Sequence, residues 1–376
     1  MTIPDAVSLT QALIRFDTVN PPGFERDCAH HLGVMLEEAG FANSYYEFAD
    51  GRTTLVSCLP GRDESLLPLA MTGHLDTVPF GHQPWTRAPL AGEIADGKLY
   101  GRGASDMKSG VAVAVASAVA AAQQPESLRR GLMLILTAGE ETGCEGSRYV
   151  AEIEGALGKA SALLVAEPTS NLPAIGHRGA LWLRGETAGV TAHGSMPEKG
   201  VNAVYKASRA IAKLEQFGFN EKRDELLGSP SLNVGTVRGG LNINSVPDYA
   251  EFTIDIRSIE RKSHEKILSQ LKSYLNDEGV GLNAEVDLDP VKTDFNHPFV
   301  QCVNAVVAQE IQIVPRPMTL PFFTDASILA AALCAPTVIL GPGETALAHQ
   351  TDEYCFVDKI PEAVMLYEKI IDSWCR

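Results

Sequence analysis

The sequence is short of every feature that would place it outside the cell, in a membrane or on nucleic acid. Its seven cysteines, at 28, 58, 144, 302, 334, 355 and 375, are odd in number and include no C-x-x-C pair. That pattern excludes a dense disulfide framework and fits reduced thiols in a cytoplasm. The start, Met1-Thr2-Ile3-Pro4-Asp5, has no basic stretch leading into an apolar one, so no secretory leader is expected. The longest apolar stretch, Val111 to Ala122, is too short and too rich in alanine to span a bilayer, and reads as a buried helix. Positive charge is scarce as well: 31 Lys and Arg against 47 Asp and Glu leave a net charge of −16. Nucleic acid and anionic membrane are therefore poor partners in bulk. There is no internal repeat and no low-complexity tract. The expectation is a soluble, cytoplasmic chain whose 376 residues make two domains, or one carrying an insertion.

In the first half, helix-like and strand-like patterns alternate. Helical periodicity runs over 5–18 and 26–40, and strands are expected at 53–59, 67–72, 131–137 and 162–166. The alanine-rich helix falls between the second and third of these, and another helical segment lies near 147–157. Such alternation predicts an α/β fold, a mixed and mainly parallel sheet sandwiched by helices. Functional groups in these sheets collect beyond the carboxyl ends of the strands. The texture changes near residue 179. Strand patterns at 180–185, 231–237 and 251–257, with helical ones at 203–217 and 263–276, predict a small α+β unit closed by turns around Asp289-Pro290 and Asn296-His297-Pro298. Helices over 298–312 and 325–334 and a strand at 337–340 resume the first texture. The predicted organisation is an α/β domain, 1–178 with 293–376, interrupted by an inserted α+β domain at 179–292.

Five segments carry candidate chemistry. Glu140 and Glu141 stand side by side where the apolar run Leu132 to Leu136 breaks into Thr137-Ala138-Gly139. Two adjacent carboxylates at the lip of a buried strand call for a nearby positive charge, and the nearest Lys or Arg residues in sequence are Arg130 and Arg148. A solvated loop doublet is the alternative. His74 and Asp76 follow the strand at 67–72 and, two apart in extended chain, can share a pocket. A carboxylate behind a metal-bound imidazole fixes its tautomer. Asp106 opens the alanine-rich helix, either as an N-cap or as a bridge between two cations. Glu167 comes straight after the strand at 162–166, and His349 follows the last strand and the turn Gly341-Pro342-Gly343. Two imidazoles and four carboxylates, without a cysteine, exceed what one tetrahedral zinc needs. Two cations ~3.5–4 Å apart, sharing a carboxylate and a water, fit that inventory. Zinc is favoured by the imidazoles, with cobalt or manganese as substitutes.

These motifs carry a resemblance. Gly73-His74-Leu75-Asp76-Thr77-Val78-Pro79, Gly101-Arg102-Gly103-Ala104-Ser105-Asp106-Met107-Lys108-Ser109-Gly110, Gly139-Glu140-Glu141-Thr142-Gly143 and Glu167-Pro168-Thr169 resemble, in order, the di-zinc deacylase and exopeptidase family. That family includes acetylornithine deacetylases, succinyl-diaminopimelate desuccinylases, aminoacylases and carboxypeptidases G. The ending Gly341-Pro342-Gly343…Ala348-His349-Gln350-Thr351-Asp352-Glu353-Tyr354 looks most like the acetylornithine deacetylases. The resemblance implies that Asp106 bridges two zincs, with His74 and Glu167 completing one and Glu141 and His349 the other. It implies Glu140 as general base and Asp76 as the residue orienting His74. In the inserted lid and dimerisation domain, His193 of Thr191-Ala192-His193-Gly194-Ser195-Met196-Pro197 matches a lid histidine that reaches the substrate carbonyl of the partner subunit in a homodimer. Asn244 and Arg257 match segments that grip the substrate carboxylate, and Thr324 and Gly341 lie in further stretches resembling the substrate pocket.

The expected activity is removal of an acetyl or succinyl group from an N-acyl amino acid by a two-metal amidohydrolase. Exopeptidase chemistry on a dipeptide, or hydrolysis of a formamide or ureido group, uses the same attack. A non-catalytic binding protein with a degraded site is the alternative from another class. It requires a missing ligand or base, and none is missing.

Overall fold

The computed structural model describes residues 3–376, which divide into two compact units. The first takes the chain up to Gly176 with Val291–Thr319 and Thr324–Arg376; the second takes His177–Pro290 with Leu320–Phe323.

The first unit is built on a six-stranded mixed sheet. Four strands run parallel in the order Leu132–Thr137, Leu69–His74, Ala162–Val165 and Thr337–Ile339. Arg52–Leu59 and then Ala42–Ala49 add antiparallel beside Leu132–Thr137. The parallel strands are apolar along their whole length because both of their faces are buried. Helices pack in two groups. Lys108–Ala121 lies against Ala6–Ile14, Lys359–Cys375 and the sheet, while Glu145–Glu152 pairs with Ala326–Ala332. The Lys108–Ala121 helix is almost wholly buried, as its alanines and valines require. Its first turn comes hard against a strand end. A Cβ on Gly110 would stand 1.9 Å from the Ala166 carbonyl oxygen, so only glycine lets this helix approach the loop that carries Glu167.

Two of the longer elements of this unit are absent from the sequence reading. Ala42–Ala49 is an edge strand, mostly exposed, so its Asn43, Ser44 and Glu47 hide the usual alternation. Lys359–Cys375 is a long helix with Pro361 in its first turn, where a missing N–H costs nothing.

The second unit is a four-stranded antiparallel sheet in the order Ser231–Gly239, Tyr249–Ser258, Gly179–Ala188, Val280–Leu288. Tyr249–Ser258 alternates between buried and part-exposed residues along its length, the signature of a sheet with one covered face. That face packs against helices Ala203–Leu214 and His264–Tyr274 through Phe252, Ile254, Ile256, Ala207, Leu214, Ile267 and Leu271. The strand Val280–Leu288, broken by exposed Asn283, Ala284 and Glu285, is not signalled by the sequence pattern. Among the described residues, no helix is long and apolar enough to cross a membrane.

Candidate active site

The polar groups of the first unit meet where its parallel strands end. His74 closes the strand Leu69–His74, Glu140 and Glu141 stand just past Leu132–Thr137, and Glu167 stands just past Ala162–Val165. Asp106 precedes the helix Lys108–Ala121, and His349 follows the short turn Thr345–Leu347. His74 Nε2 lies 3.1 Å from Asp106 Oδ1 and 3.9 Å from Glu167 Oε1. His349 Nε2 lies 3.1 Å from Glu141 Oε2 and 3.5 Å from Asp106 Oδ2. The result is two triads, His74–Asp106–Glu167 and Asp106–Glu141–His349, each with its donor atoms within 4.8 Å of one another. Asp106 belongs to both and turns one oxygen to each. Glu140, 5% exposed, belongs to neither.

Among the described residues, the ion pairs of the triad carboxylates run to His74 and His349. Four buried carboxylates, with Asp76 and Asp325 behind them, are costly to desolvate unless cations compensate them. Imidazole nitrogen and carboxylate oxygen without thiolate suit zinc, and accept cobalt or manganese. The residues present thus fit two divalent cations sharing Asp106.

The electrostatics of the cation-free centre favour protons. Burial lifts Glu140 and Glu167 well above the usual carboxylate range and raises Glu141. At His74 burial opposes protonation, but the hydrogen bond to Asp106 and the charges of Glu167 and Glu140 outweigh it and hold the imidazole well above its ordinary value. Hydrogen bonds to Asp106 and Glu141 raise His349 to about 10. Every one of these groups binds protons more tightly folded than unfolded. The metal-free chain should therefore lose stability as the pH rises through the range from 4.5, the ordinary Glu value, to about 10. Zinc displaces the same protons, so its affinity grows with pH. Melting curves in chelator and in zinc should draw further apart from about pH 5.5 to 9; a constant or shrinking gap would contradict this charge arrangement.

Asp76 acts differently from the simple expectation. Its carboxylate stands 3.6 Å from His74 Nδ1, whereas its backbone carbonyl is at 2.9 Å from the same nitrogen. The carbonyl, not the carboxylate, is placed to accept from Nδ1 and leave Nε2 facing Asp106 and Glu167. The carboxylate accepts instead from the backbone N–H groups of Glu140 (3.1 Å) and Glu141 (3.2 Å) and from Asn20 Nδ2 (2.9 Å). Asp76 therefore orients the imidazole through its backbone and the glutamate pair through its side chain. Asn20 was not singled out from sequence; an Asn before two prolines reads as turn chemistry alone. Asp325, buried and accepting from the Thr137 hydroxyl, was hidden beside Thr324 in the same way.

Thr324 is fully buried, and its hydroxyl accepts from the Ala326 N–H at 3.1 Å. Gly341 supports the centre from beneath. A Cβ there would lie 2.4 Å from the Ala166 oxygen and 2.6 Å from the Glu167 oxygen, both backbone atoms with little freedom to yield. Gly341→Ala should displace Glu167 and cost roughly 1–3 kcal/mol, read as a lower urea midpoint together with weaker zinc binding. Unchanged values for both would show that the loop yields freely.

The remaining predicted residues belong to the second unit. His193 is exposed, pairs with Ser245 in an isolated bridge, and holds the Ser195 hydroxyl 2.7 Å from its Nδ1. The Asn244 carbonyl accepts from Gly194 N–H at 2.7 Å, so His193 and Asn244 lie together. Arg257 is not their neighbour within one chain. It pairs with Ala180 across the sheet, at the opposite end of the strand Tyr249–Ser258 from the side Asn244 enters. Its guanidinium is held by Asp255 at 3.0 Å and lies over the Phe323 ring, and its Nη1 is buried without a hydrogen-bond partner among the described residues.

Residues 70–373 match peptidase family M20/M25/M40. An acetylornithine deacetylase of Myxococcus xanthus is 31% identical over 353 residues, covering 91% of this chain and 90% of that protein. A probable succinyl-diaminopimelate desuccinylase of Staphylococcus epidermidis is 25% identical over 402 residues, covering 98% of each. Among solved structures, an M20 family metallo-carboxypeptidase from Sulfolobus solfataricus superposes with a TM-score of 0.82 at 18% identity, over 98% of this chain and 99% of that one; at that identity it bears on the fold.

Proposed function

Since this chain belongs to peptidase family M20/M25/M40, we propose that it is a two-metal hydrolase removing an acetyl or succinyl group from an N-acyl amino acid. The observation that carries the reading is the shared Asp106 between two triads with Glu140 beside them and outside both. His74, Asp106 and Glu167 would hold one zinc, and Asp106, Glu141 and His349 the other. When bound, such a pair supplies positive charge that polarises an acyl carbonyl and makes water more acidic. Glu140 takes a proton from the attacking water as the new C–O bond forms, then hands it to the amine as the C–N bond breaks. The products are a carboxylate and a free amino acid. The deacylase reading draws on the relatives that bear deacetylase and desuccinylase names, and the peptidase reading on the name of the family that the chain matches.

We further read the chain as working in a homodimer formed through its second unit. The strand Ser231–Gly239 is one of the two edges of that sheet, and Val237, Leu241 and Ile243 are 58%, 96% and 103% exposed. An open strand edge flanked by bare aliphatic side chains suits a second copy of the chain. His193 and Asn244, which lie together, would then be offered to the partner's centre, His193 as a donor to the carbonyl oxygen as negative charge develops on it. Arg257, with its unpartnered Nη1, would grip the substrate carboxylate.

The test is a panel of N-acetyl, N-succinyl and N-formyl amino acids with dipeptides, assayed after reconstitution with zinc, cobalt or manganese. An N-acetyl or N-succinyl amino acid should exceed every dipeptide in kcat/KM by about tenfold or more, roughly 1.4 kcal/mol of transition-state binding. A dipeptide at the head of the panel would replace the deacylase reading with the exopeptidase one.

A further inference from the structure

Glu353 and Arg102 form a buried ion pair at 2.7 Å, with side chains 0% and 2% exposed, and neither belongs to a triad. The Glu353 carboxylate has four donors on it. Besides Arg102, Oε2 accepts from the Gly103 N–H at 3.0 Å, and Oε1 accepts from the N–H groups of Ser105 at 2.8 Å and Asp106 at 3.0 Å. The loop that presents Asp106 is thus wrapped around one carboxylate. That carboxylate sits four residues after His349 on a different segment of the chain. Arg102 reinforces the link by donating to the Gln350 carbonyl at 3.2 Å and the Pro79 carbonyl at 3.0 Å, with Trp85 stacked 5.1 Å from its guanidinium carbon. On the other side of His349, the Glu344 N–H donates to the Ser105 hydroxyl at 2.7 Å.

His349 itself meets Glu141 and Asp106 through Nε2 but is far more open than its counterpart His74. Its side chain is 53% exposed and its φ is +63°, a left-handed turn conformation. His74, by contrast, ends a buried strand and is 1% exposed. We propose that Glu353 is a positioning residue that registers the His349 segment against the Asp106 loop and thereby sets the affinity of the Asp106–Glu141–His349 triad. The inference rests on the two-cation reading of the site. A charged acceptor suits the task, because four donors converging in a buried space would otherwise be left unpaired.

Zinc titration of the stripped chain, with a competing chromophoric chelator, tests this in the wild type, Glu353→Gln and Glu353→Ala. The wild type should take two equivalents. Both variants should hold the first nearly as tightly and the second about 10- to 100-fold more weakly, as removal of an outer partner of a ligand does. Gln should lose less than Ala, because its one carbonyl oxygen still accepts from Ser105 and Asp106. In a His349→Ala background, Glu353→Ala should leave the remaining equivalent almost unchanged. Two wild-type affinities in Glu353→Ala overturn the inference, as does equal weakening of both equivalents or a further large loss in the His349→Ala background. If Glu353→Ala does not fold, Glu353→Gln decides by the same criteria. A wild type that takes up fewer than two equivalents overturns the two-cation reading and this inference with it.

Discussion

A chain carrying Glu140→Ala is expected to bind two cations as the wild type does and to turn over almost nothing. Glu140 is a ligand in neither triad, so its removal leaves all six donor contacts in place. What goes is a buried carboxylate beside the triads that neither of them uses. Burial pushes its pKa well above the ordinary carboxylate value, and nearby Glu167 and Glu141 push the same way while His74 opposes them. A carboxyl group that holds a proton this readily can keep it between its removal from water and its delivery to the amine. Bound cations would oppose that rise, because positive charge nearby favours the carboxylate form that a general base needs. The loss should be about 10²- to 10⁴-fold in kcat. It should fall on kcat rather than on KM, since the proton moves only in the transition state. Metal content by emission spectroscopy and steady-state kinetics on the same preparation check it. Activity retained at even about a tenth of wild type would end the assignment, because a general base contributes far more than that.

Much of this was legible in sequence, for reasons that lie in particular residues. The parallel strands announced themselves because Leu132 to Leu136 and Ala162 to Val165 are buried on both faces and are apolar without a break. His74, Asp106, the glutamate pair, Glu167 and His349 were visible because each follows such a run or opens a buried helix. Their grouping into two triads followed from the family resemblance and from no local pattern. It depends on Gly110 and Gly341 letting backbone reach the Ala166–Glu167 loop, which a sequence shows only as two more glycines. Glu353 and Asn20 were unreadable for a related cause. Their partners are backbone amides and side chains far off in the chain, such as Asp106 and Asp76, and no local pattern marks a residue whose work is to hold another segment. The double use of Asp76 had the same origin: period-two logic put its side chain near His74, but the turn after the strand gave the imidazole the carbonyl instead.

Replacing Asp106 should do more damage than replacing any other ligand. His74, Glu141, Glu167 and His349 each serve one triad, whereas Asp106 turns Oδ1 toward His74 and Oδ2 toward His349. Asp106→Ala should therefore take zinc content from two equivalents toward none. His74→Ala and His349→Ala should each leave one site with its other ligands intact. Cation binding stabilises the folded chain by about 2.7 kcal/mol per site at a hundredfold excess over Kd. The melting gap between zinc and chelator should accordingly close in Asp106→Ala and shrink only partway in the two histidine variants. Within the metal-free chain the variant is less costly than it looks. Burial penalises the Asp106 charge, and the hydrogen bonds and charges of His349 and His74 hold its pKa below the ordinary value. Removing it leaves two imidazoles free to give up their protons, so the stripped variant should fold, with its stability falling less steeply at high pH than that of the wild type. One full equivalent of zinc retained at wild-type affinity would show that the triads do not depend on a common oxygen pair. The centre would then be two separate sites that happen to adjoin, and the placement of Glu140 beside a shared cation pair would lose its foundation.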